Sequence, residues 1–290
     1  MIRIADEVRD ATAVVALETT LIAHGFPAGE GIEVGLESER RVRAAGAVPA
    51  TVGVLDGEIV VGLTADELER FDESARKVGP RDLATCAAQR AVGATTVGGT
   101  LAVCRRVGIR FMGTGGIGGV HRAWQKHPDV SADLGELARG QTLVVSAGAK
   151  SLLDVSATFE LLETLGVPVL GWRTDDLPRF YAAGGGPSVS ARVENVDEVA
   201  RIAAAHWREL ERGGLLVARP PDESLDDVDP LIDVAVRAAE MEGVSGPQVT
   251  PFVLSYLHRE SGGATMRVNK ELVAANAGLA AEIAVAYANA

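Results

Sequence analysis

Apolar residues in this chain come in short runs set apart by amphipathic stretches. The runs VVALETTLI (14–22), ATVGVL (50–55), EIVVGL (58–63), RFMGTG (110–115), TLVVSAG (142–148), VPVLGW (167–172) and LLVARP (215–220) have the length and composition of strands. Helical stretches fall between them, over 31–45, 65–75, 82–92, 99–107, 131–139, 151–165 and 194–212. Asp56-Gly57 joins two of the runs as a tight hairpin, and Thr64-Ala65-Asp66-Glu67 is a capping box for the next helix. Strands alternating with helices predict an α/β domain, and the hairpin makes its sheet mixed. The expected architecture is a three-layer α/β/α fold with a mixed central sheet. The acidic, proline-bounded stretch PPDESLDDVDP (220–230) reads as an exposed connection. Beyond it the chain is nearly all helix, over 231–242, 250–260 and 268–288. This helical C-terminal segment is expected to wrap onto the same core, so that 1–290 forms one domain.

Composition narrows the reading. The chain has 290 residues, which suits one large α/β unit. Hydrophobic residues make up 47% and aromatics 4%, so Ala, Val, Leu and Gly must fill the core. A net charge of −12 argues against a nucleic-acid partner, because phosphate backbones demand clustered Lys and Arg. One or two lysines suffice to hold a small anion. Cys86 and Cys104 have no metal or redox spacing and read as buried free thiols. The N-terminal MIRIADEVRD lacks the apolar region of a secretion signal. LVAANAGLAAEIAVAYANA at the other end is interrupted by Asn276 and Glu282 and reads as a buried helix rather than a membrane span. A cytoplasmic protein without a membrane partner is expected.

Glycines gather where strands end. Thr114-Gly-Gly-Ile-Gly-Gly-Val-His121 directly follows one run, and its backbone N–H groups can face an anion at close range. A dinucleotide fingerprint is the alternative, but that motif opens a helix at its third glycine, with an acidic residue about 20 positions on. Here a His and an Arg follow instead. Gly93-Ala-Thr-Thr-Val-Gly-Gly-Thr100 is either a phosphate seat at a helix N-terminus or a turn with a Thr cap.

Four ionisable groups stand out. Glu18 lies in an apolar run, where a carboxyl either does acid–base work or bonds to a neighbour such as a Thr or His24. Lys150 ends TLVVSAGAK. Apolar surroundings favour the neutral amine that imine chemistry needs, while a strand-end lysine can also snorkel to water. In His127-Pro-Asp129-Val-Ser-Ala-Asp133, Asp133 suits the first turn of a helix and Asp129 suits a hard divalent ion completed by water and substrate. His206, Trp207 and His258 read as packing or surface residues.

Taken in order, ALETTLIAHGFP (16–27), GAVPATVGVLDG (46–57), GATTVGGT (93–100), TGGIGGVHR (114–122), DVSADLGELA (129–138), AGAKSLLD (147–154), GVPVLG (166–171), GLLVARP (214–220) and SG-x-x-VTPF (245–252) resemble the pseudouridine-5′-phosphate glycosidase family along nearly the whole chain. The resemblance implies cleavage of the C–C bond between uracil and ribose 5-phosphate, aided by a divalent metal, typically Mn2+, in a homotrimer. It implies that Lys150 bonds to the anomeric carbon and that Glu18 is the acid that opens the furanose. By the same resemblance, Lys77 and Thr96-Val97 contact the phosphate, Asp129 ligates the metal, and Ser131, Ala132 and Asp133 line the substrate site. Thr114, His121 and Asn269 match positions near the substrate. A biosynthetic relative that joins ribose 5-phosphate to a non-uracil aromatic is the alternative, and a non-catalytic phosphosugar binder is a third.

The chain departs from the family pattern at Glu18-Thr19-Thr20, at Gly79-Pro80-Arg81, at Gly171-Trp172-Arg173-Thr174, at Ala182–Pro187 and at Ala275-Asn276. On the alternative reading, Trp172 and Gly184–Pro187 would reshape an acceptor pocket.

Overall fold

Alternation along the strands sorts their side chains between two cores, and that division sets the layers. A computed structural model describes the chain apart from residues 28, 123, 126–127, 226–227 and 245–248. His127 and the Ser245-Gly246 pair of the tail motif therefore lie outside the described residues.

The strands are β1 (Ile2–Ile4), β2 (Val14–Glu18), β3 (Val48–Leu55), β4 (Glu58–Val61), β5 (Arg76–Val78), β6 (Gly93–Thr95) and β7 (Phe111–Gly113). They continue with β8 (Val120–His121), β9 (Leu143–Ser146), β10 (Leu153–Asp154), β11 (Val169–Trp172), β12 (Ala191–Val193) and β13 (Leu215–Ala218). The helices of the first half are α1 (Asp6–Arg9), α2 (Thr20–His24), α3 (Glu30–Ala44), α4 (Ala65–Leu68), α5 (Leu83–Ala88) and α6 (Val97–Val107). The rest are α7 (Ala132–Arg139), α8 (Val155–Thr164), α9 (Val196–Ala204), α10 (Val228–Met241), α11 (Val249–Glu260) and α12 (Ala264–Ala288).

One sheet runs in the order β1-β4-β3-β2-β7-β9-β13-β11-β12, with β6 joined to β3 and β5 joined to β6. From β3 through β12 along this path every pairing is parallel, whereas β3 pairs with β4 and β6 antiparallel. The sheet is mixed, as expected, and the Asp56-Gly57 hairpin has the two positive φ angles, 53° and 91°, that such a turn needs.

On one face Val15, Leu17, Phe111, Leu143, Val145, Leu215 and Val217 pack with Val42 of α3, Val199 of α9 and Ile283 of α12. On the other, Ala16, Met112, Val144 and Leu216 pack with Leu101 of α6, Leu134 of α7 and Leu162 of α8. Period-two alternation of apolar residues on both faces is what a sheet covered by helices on each side requires. The three-layer expectation is met, and α10 to α12 supply the helical C-terminal segment.

The run at 14–22 is not one strand. β2 stops at Glu18 because the next two hydroxyls bond to neighbouring backbone. Thr19 Oγ1 donates to Val52 O at 2.8 Å and accepts from Thr95 N at 2.8 Å, and Thr20 Oγ1 donates to Ala94 O at 3.1 Å. These bonds turn the chain out of the sheet and into α2. The helix expected over 65–75 is confined to α4, after which Asp72 accepts from both Ser74 N and Ser74 Oγ and holds a turn. Cys86 and Cys104 are free, buried thiols, and burial pushes the Cys104 thiol up to about 12.

Helix α12 is long and apolar enough to cross a membrane, yet it lies against β7, β9, α3 and α9 with most of its residues buried. Its approach to β7 depends on Gly113, where a Cβ would stand 2.6 Å from Ala277 Cα. The obstacle is backbone, so it cannot swing aside. Gly113→Ala should therefore cost about 1–3 kcal/mol of stability, the range for overpacked cores. A urea midpoint that does not move would show that α12 can shift away.

Candidate active site

Three adjacent parallel strands, β2, β7 and β9, end at the same edge of the sheet and deliver Glu18, Thr114 and the AGAK turn to it. Ligands in open α/β sheets gather outside such carboxyl ends. Here the edge opens into a cavity of ≈ 1180 Å3. Glu18, Lys77, Thr96, Val97, His121, Asp129, Ser131, Ala132, Asp133 and Lys150 all line it. Thr114 and Asn269 do not line it, and both are buried beside it.

Glu18 is 4% exposed, and its Oε1 accepts a 2.6 Å hydrogen bond from Thr114 Oγ1. Burial raises its pKa above the ordinary carboxylate value, against the opposing pull of the Lys150 charge and the Thr114 bond. The partner is thus Thr114 and not His24. Because the chain turns into α2 after Glu18, His24 is carried away, and its Nε2 lies 3.0 Å from Ala75 O.

Lys150 follows β9 on a turn that needs glycine. Gly148 has φ +82°, and a Cβ there would meet Pro178 O at 2.4 Å. The lysine is half-buried, with its backbone N–H on Ile117 O at 3.1 Å. Lys77, on β5, faces the same space. Burial holds its amine below the usual range, and the Lys150 charge lowers it further while Glu18, Asp133 and Asp129 oppose.

The two glycine loops are tied together by one carboxylate. Asp133 accepts from Gly98 N at 2.7 Å through Oδ1 and from Gly118 N at 2.8 Å through Oδ2. Ser131 caps α7, its Oγ accepting from Asp133 N at 3.2 Å. Gly118 has no alternative, since a Cβ would stand 2.4 Å from Ser131 Oγ. The N-terminus of α6 therefore already holds one anion, Asp133, and Thr96 caps the same end by accepting from Gly99 N at 3.1 Å. The glycine loop after β7 leads into β8 rather than a helix, which excludes the dinucleotide arrangement.

At the mouth, His121 Nδ1 is 3.8 Å from Asp129 Oδ2. Burial lowers the His121 pKa, Asp129 raises it, and Lys77 and Lys150 lower it again. Asp129 is half-exposed, and among the described residues no group of three or more His, Cys, Asp and Glu is placed to hold a metal. One carboxylate with an imidazole nearby suits only a hard cation that keeps most of its water.

Sequence reasoning missed Arg81, Glu136 and Arg139, which also line the cavity, and Asn276, whose buried amide donates to Thr114 O at 2.8 Å. The polar Asn inside an apolar helix was its only signal. Neither Trp172 nor Gly184–Pro187 lines the cavity. Trp172 instead packs against Arg173, whose guanidinium lies 4.9 Å from the ring centre, so these departures do not reshape this pocket.

A buried carboxyl and two lysines lining one cavity, on the carboxyl edge of a sheet, define the site of an α/β enzyme. The chain belongs to the family described as indigoidine synthase A like protein, whose model matches residues 3–286. A pseudouridine-5′-phosphate glycosidase of Streptomyces griseus is 48% identical over 96% of this chain and 88% of its own length. One of Nocardioides sp. is 45% identical over 98% and 95%. Among solved structures, the prealnumycin C-glycosynthase AlnA in complex with ribulose 5-phosphate superposes with a TM-score of 0.89 at 38% identity, over 100% of this chain and 97% of that one. An indigoidine synthase A-like protein of Thermotoga maritima gives 0.86 at 38% identity, over 98% and 96%.

The raised pKa of Glu18 has a stability consequence. A carboxyl whose folded pKa lies above its unfolded value of about 4.5 supports the fold fully below that value, and the support is lost as pH rises through the folded pKa. Glu18→Gln removes the charge that becomes costly to bury. Its melting temperature should exceed wild type at neutral and alkaline pH, with the gap closing in acid. A variant less stable than wild type at alkaline pH would mean that the Lys150 attraction outweighs burial.

Proposed function

We propose that this enzyme reversibly cleaves the C-glycosidic bond of pseudouridine 5′-phosphate to uracil and ribose 5-phosphate, with Lys150 as nucleophile and Glu18 as general acid. The observation that carries the reading is the meeting, in one cavity at the carboxyl edge of the sheet, of a lysine with a carboxyl whose pKa burial raises. The names of the full-length relatives support the substrate.

A C-glycoside has no heteroatom leaving group at the base, so protonating one cannot start the reaction. The Glu18 proton goes to the ring oxygen instead. As that C–O bond breaks, the base pushes electrons to the anomeric carbon and leaves it electrophilic. The Lys150 amine adds there through its nitrogen lone pair. Protonation of the base carbon lets the nitrogen lone pair expel uracil as C=N forms, and water then releases ribose 5-phosphate and the free amine. Lys77, with Thr96 and Val97, holds the phosphate, while His121 and Ser131 to Asp133 line the sugar. Asn269, buried under the Thr114 loop, supports the same wall.

A divalent cation, typically manganese, would rest on Asp129 beside His121 and supply positive charge to the phosphorylated substrate. The same reading takes the protein as a homotrimer in the cytoplasm. A second reading, C–C bond formation with another aromatic acceptor, has the likeness to the C-glycosynthase in its favour at lower identity than to the named glycosidases.

Purified protein with manganese should release uracil from pseudouridine 5′-phosphate, and Lys150→Ala should not. Borohydride added with ribose 5-phosphate should fix the sugar to Lys150, and a label on another lysine would reject the assignment. Glu18→Gln should lower kcat by about 10²–10⁴-fold. Trapping at Lys150 without uracil release would instead favour the second reading.

The metal part has its own test. Chelation should suppress turnover and manganese restore it, with Asp129→Asn needing about tenfold or more manganese for half-restoration. Full activity in chelator would remove the cation from the scheme.

A further inference from the structure

Helix α12 contributes an amide to the site from behind, and packing does not account for it. Asn276 is 0% exposed, between Ala275 and Ala277. Its Nδ2 donates to Thr114 O at 2.8 Å and reaches Gly115 O at 3.5 Å, which fixes which end of the amide is nitrogen. Its Oδ1 is buried with no hydrogen-bond partner among the described residues. An amide satisfied at one end only is a poorer core residue than an apolar one of the same size. Something other than stability favours a donor at this place.

We propose that Asn276 is a positioning residue for the catalytic acid, holding the Thr114 peptide so that the Thr114 hydroxyl fixes the Glu18 carboxyl. The inference rests on the reading of Glu18 as the acid. Thr114 is held at both ends, its N–H on Val145 O at 3.0 Å and its carbonyl on Asn276. Its hydroxyl is then presented to Glu18 Oε1 at 2.6 Å. In the neutral acid the carbonyl oxygen is the better acceptor, so this bond favours the proton on Oε2. Asn276 thereby selects which oxygen of Glu18 delivers the proton. The close seating of α12 at Gly113 is what brings the amide into range.

The charges that face Glu18 are Lys150, Lys77 and Asp133, and none of them is on α12. A change at position 276 therefore reaches Glu18 through Thr114. The bond from Thr114 favours the ionised carboxyl, so its loss shifts the Glu18 pKa upward. An enzyme that needs protonated Glu18 loses activity as pH rises, and that alkaline limb should move to higher pH.

The test is the pH profile of kcat and kcat/KM for uracil release by Asn276→Leu, which keeps the volume and removes the donor. We expect kcat to fall by about tenfold to a hundredfold, the scale of a displaced catalytic group. KM should change little, the alkaline limb should move up, and the melting temperature should be equal to or above wild type. Thr114→Val should move the limb in the same direction, whereas Thr114→Ser should keep it in place. The Thr114 pair also serves if Asn276→Leu fails to fold, with Asn276→Asp then replacing it. A 276 variant with wild-type kcat and an unmoved limb overturns the proposal, and so does a Thr114→Val limb that stays put. Glu18→Gln separates the two levels: if it is inactive while the 276 variant is normal, only this inference fails. If Glu18→Gln is active, the acid assignment itself is wrong.

Discussion

The Asp133 carboxylate, shared between the backbone N–H groups of Gly98 and Gly118, joins the two halves of the site. A carboxylate that is 6% exposed is costly unless its oxygens are met by donors. Two peptide N–H groups and the positive end of α6 meet them. The bond to Gly118 fixes the loop that begins at Thr114. That loop in turn holds the turn after β9, through Ala147 N on Gly115 O at 2.9 Å, Ile117 N on Gly148 O at 3.0 Å and Lys150 N on Ile117 O. The separation of acid and amine thus follows from where one buried charge is satisfied.

The same carboxylate shapes the field in the cavity. Lys77 and Lys150 repel each other, and Glu18, Asp133 and Asp129 offset that repulsion. Of the two amines, it is Lys77 that burial holds below its usual range. On the proposed reading, a phosphate meets Asp133 already seated at the N-terminus of α6, which leaves Lys77 to carry more of the attraction than an open helix terminus would demand.

Much of this was legible in the sequence. All seven apolar runs contain strands, most of whose residues are buried between the two helical layers. The short strands β1, β5, β6 and β12 escaped notice, since three residues show no period. Glu18 stood out as a carboxyl in an apolar run, but its partner lies on a different strand, and local spacing pointed wrongly to His24. Asp133 looked like an ordinary first-turn acid, and nothing in its surroundings revealed two distant glycine N–H groups. Asn276 was visible as a polar break in an apolar helix, though what it held was not.

The position of α12 in the chain gives the fold a temporal order. Its amide reaches back 162 residues to Thr114, and every strand of the sheet is translated before it. While the polypeptide is still emerging from the ribosome, the wall behind the acid is missing and the contacts that close it are of long sequence range, the slowest kind to form. A nascent or prematurely terminated chain therefore carries the amine without an aligned acid. If Glu18 and Lys150 act as proposed, such a fragment would be quiet toward sugar phosphates, and reactivity would arrive only once α12 has packed.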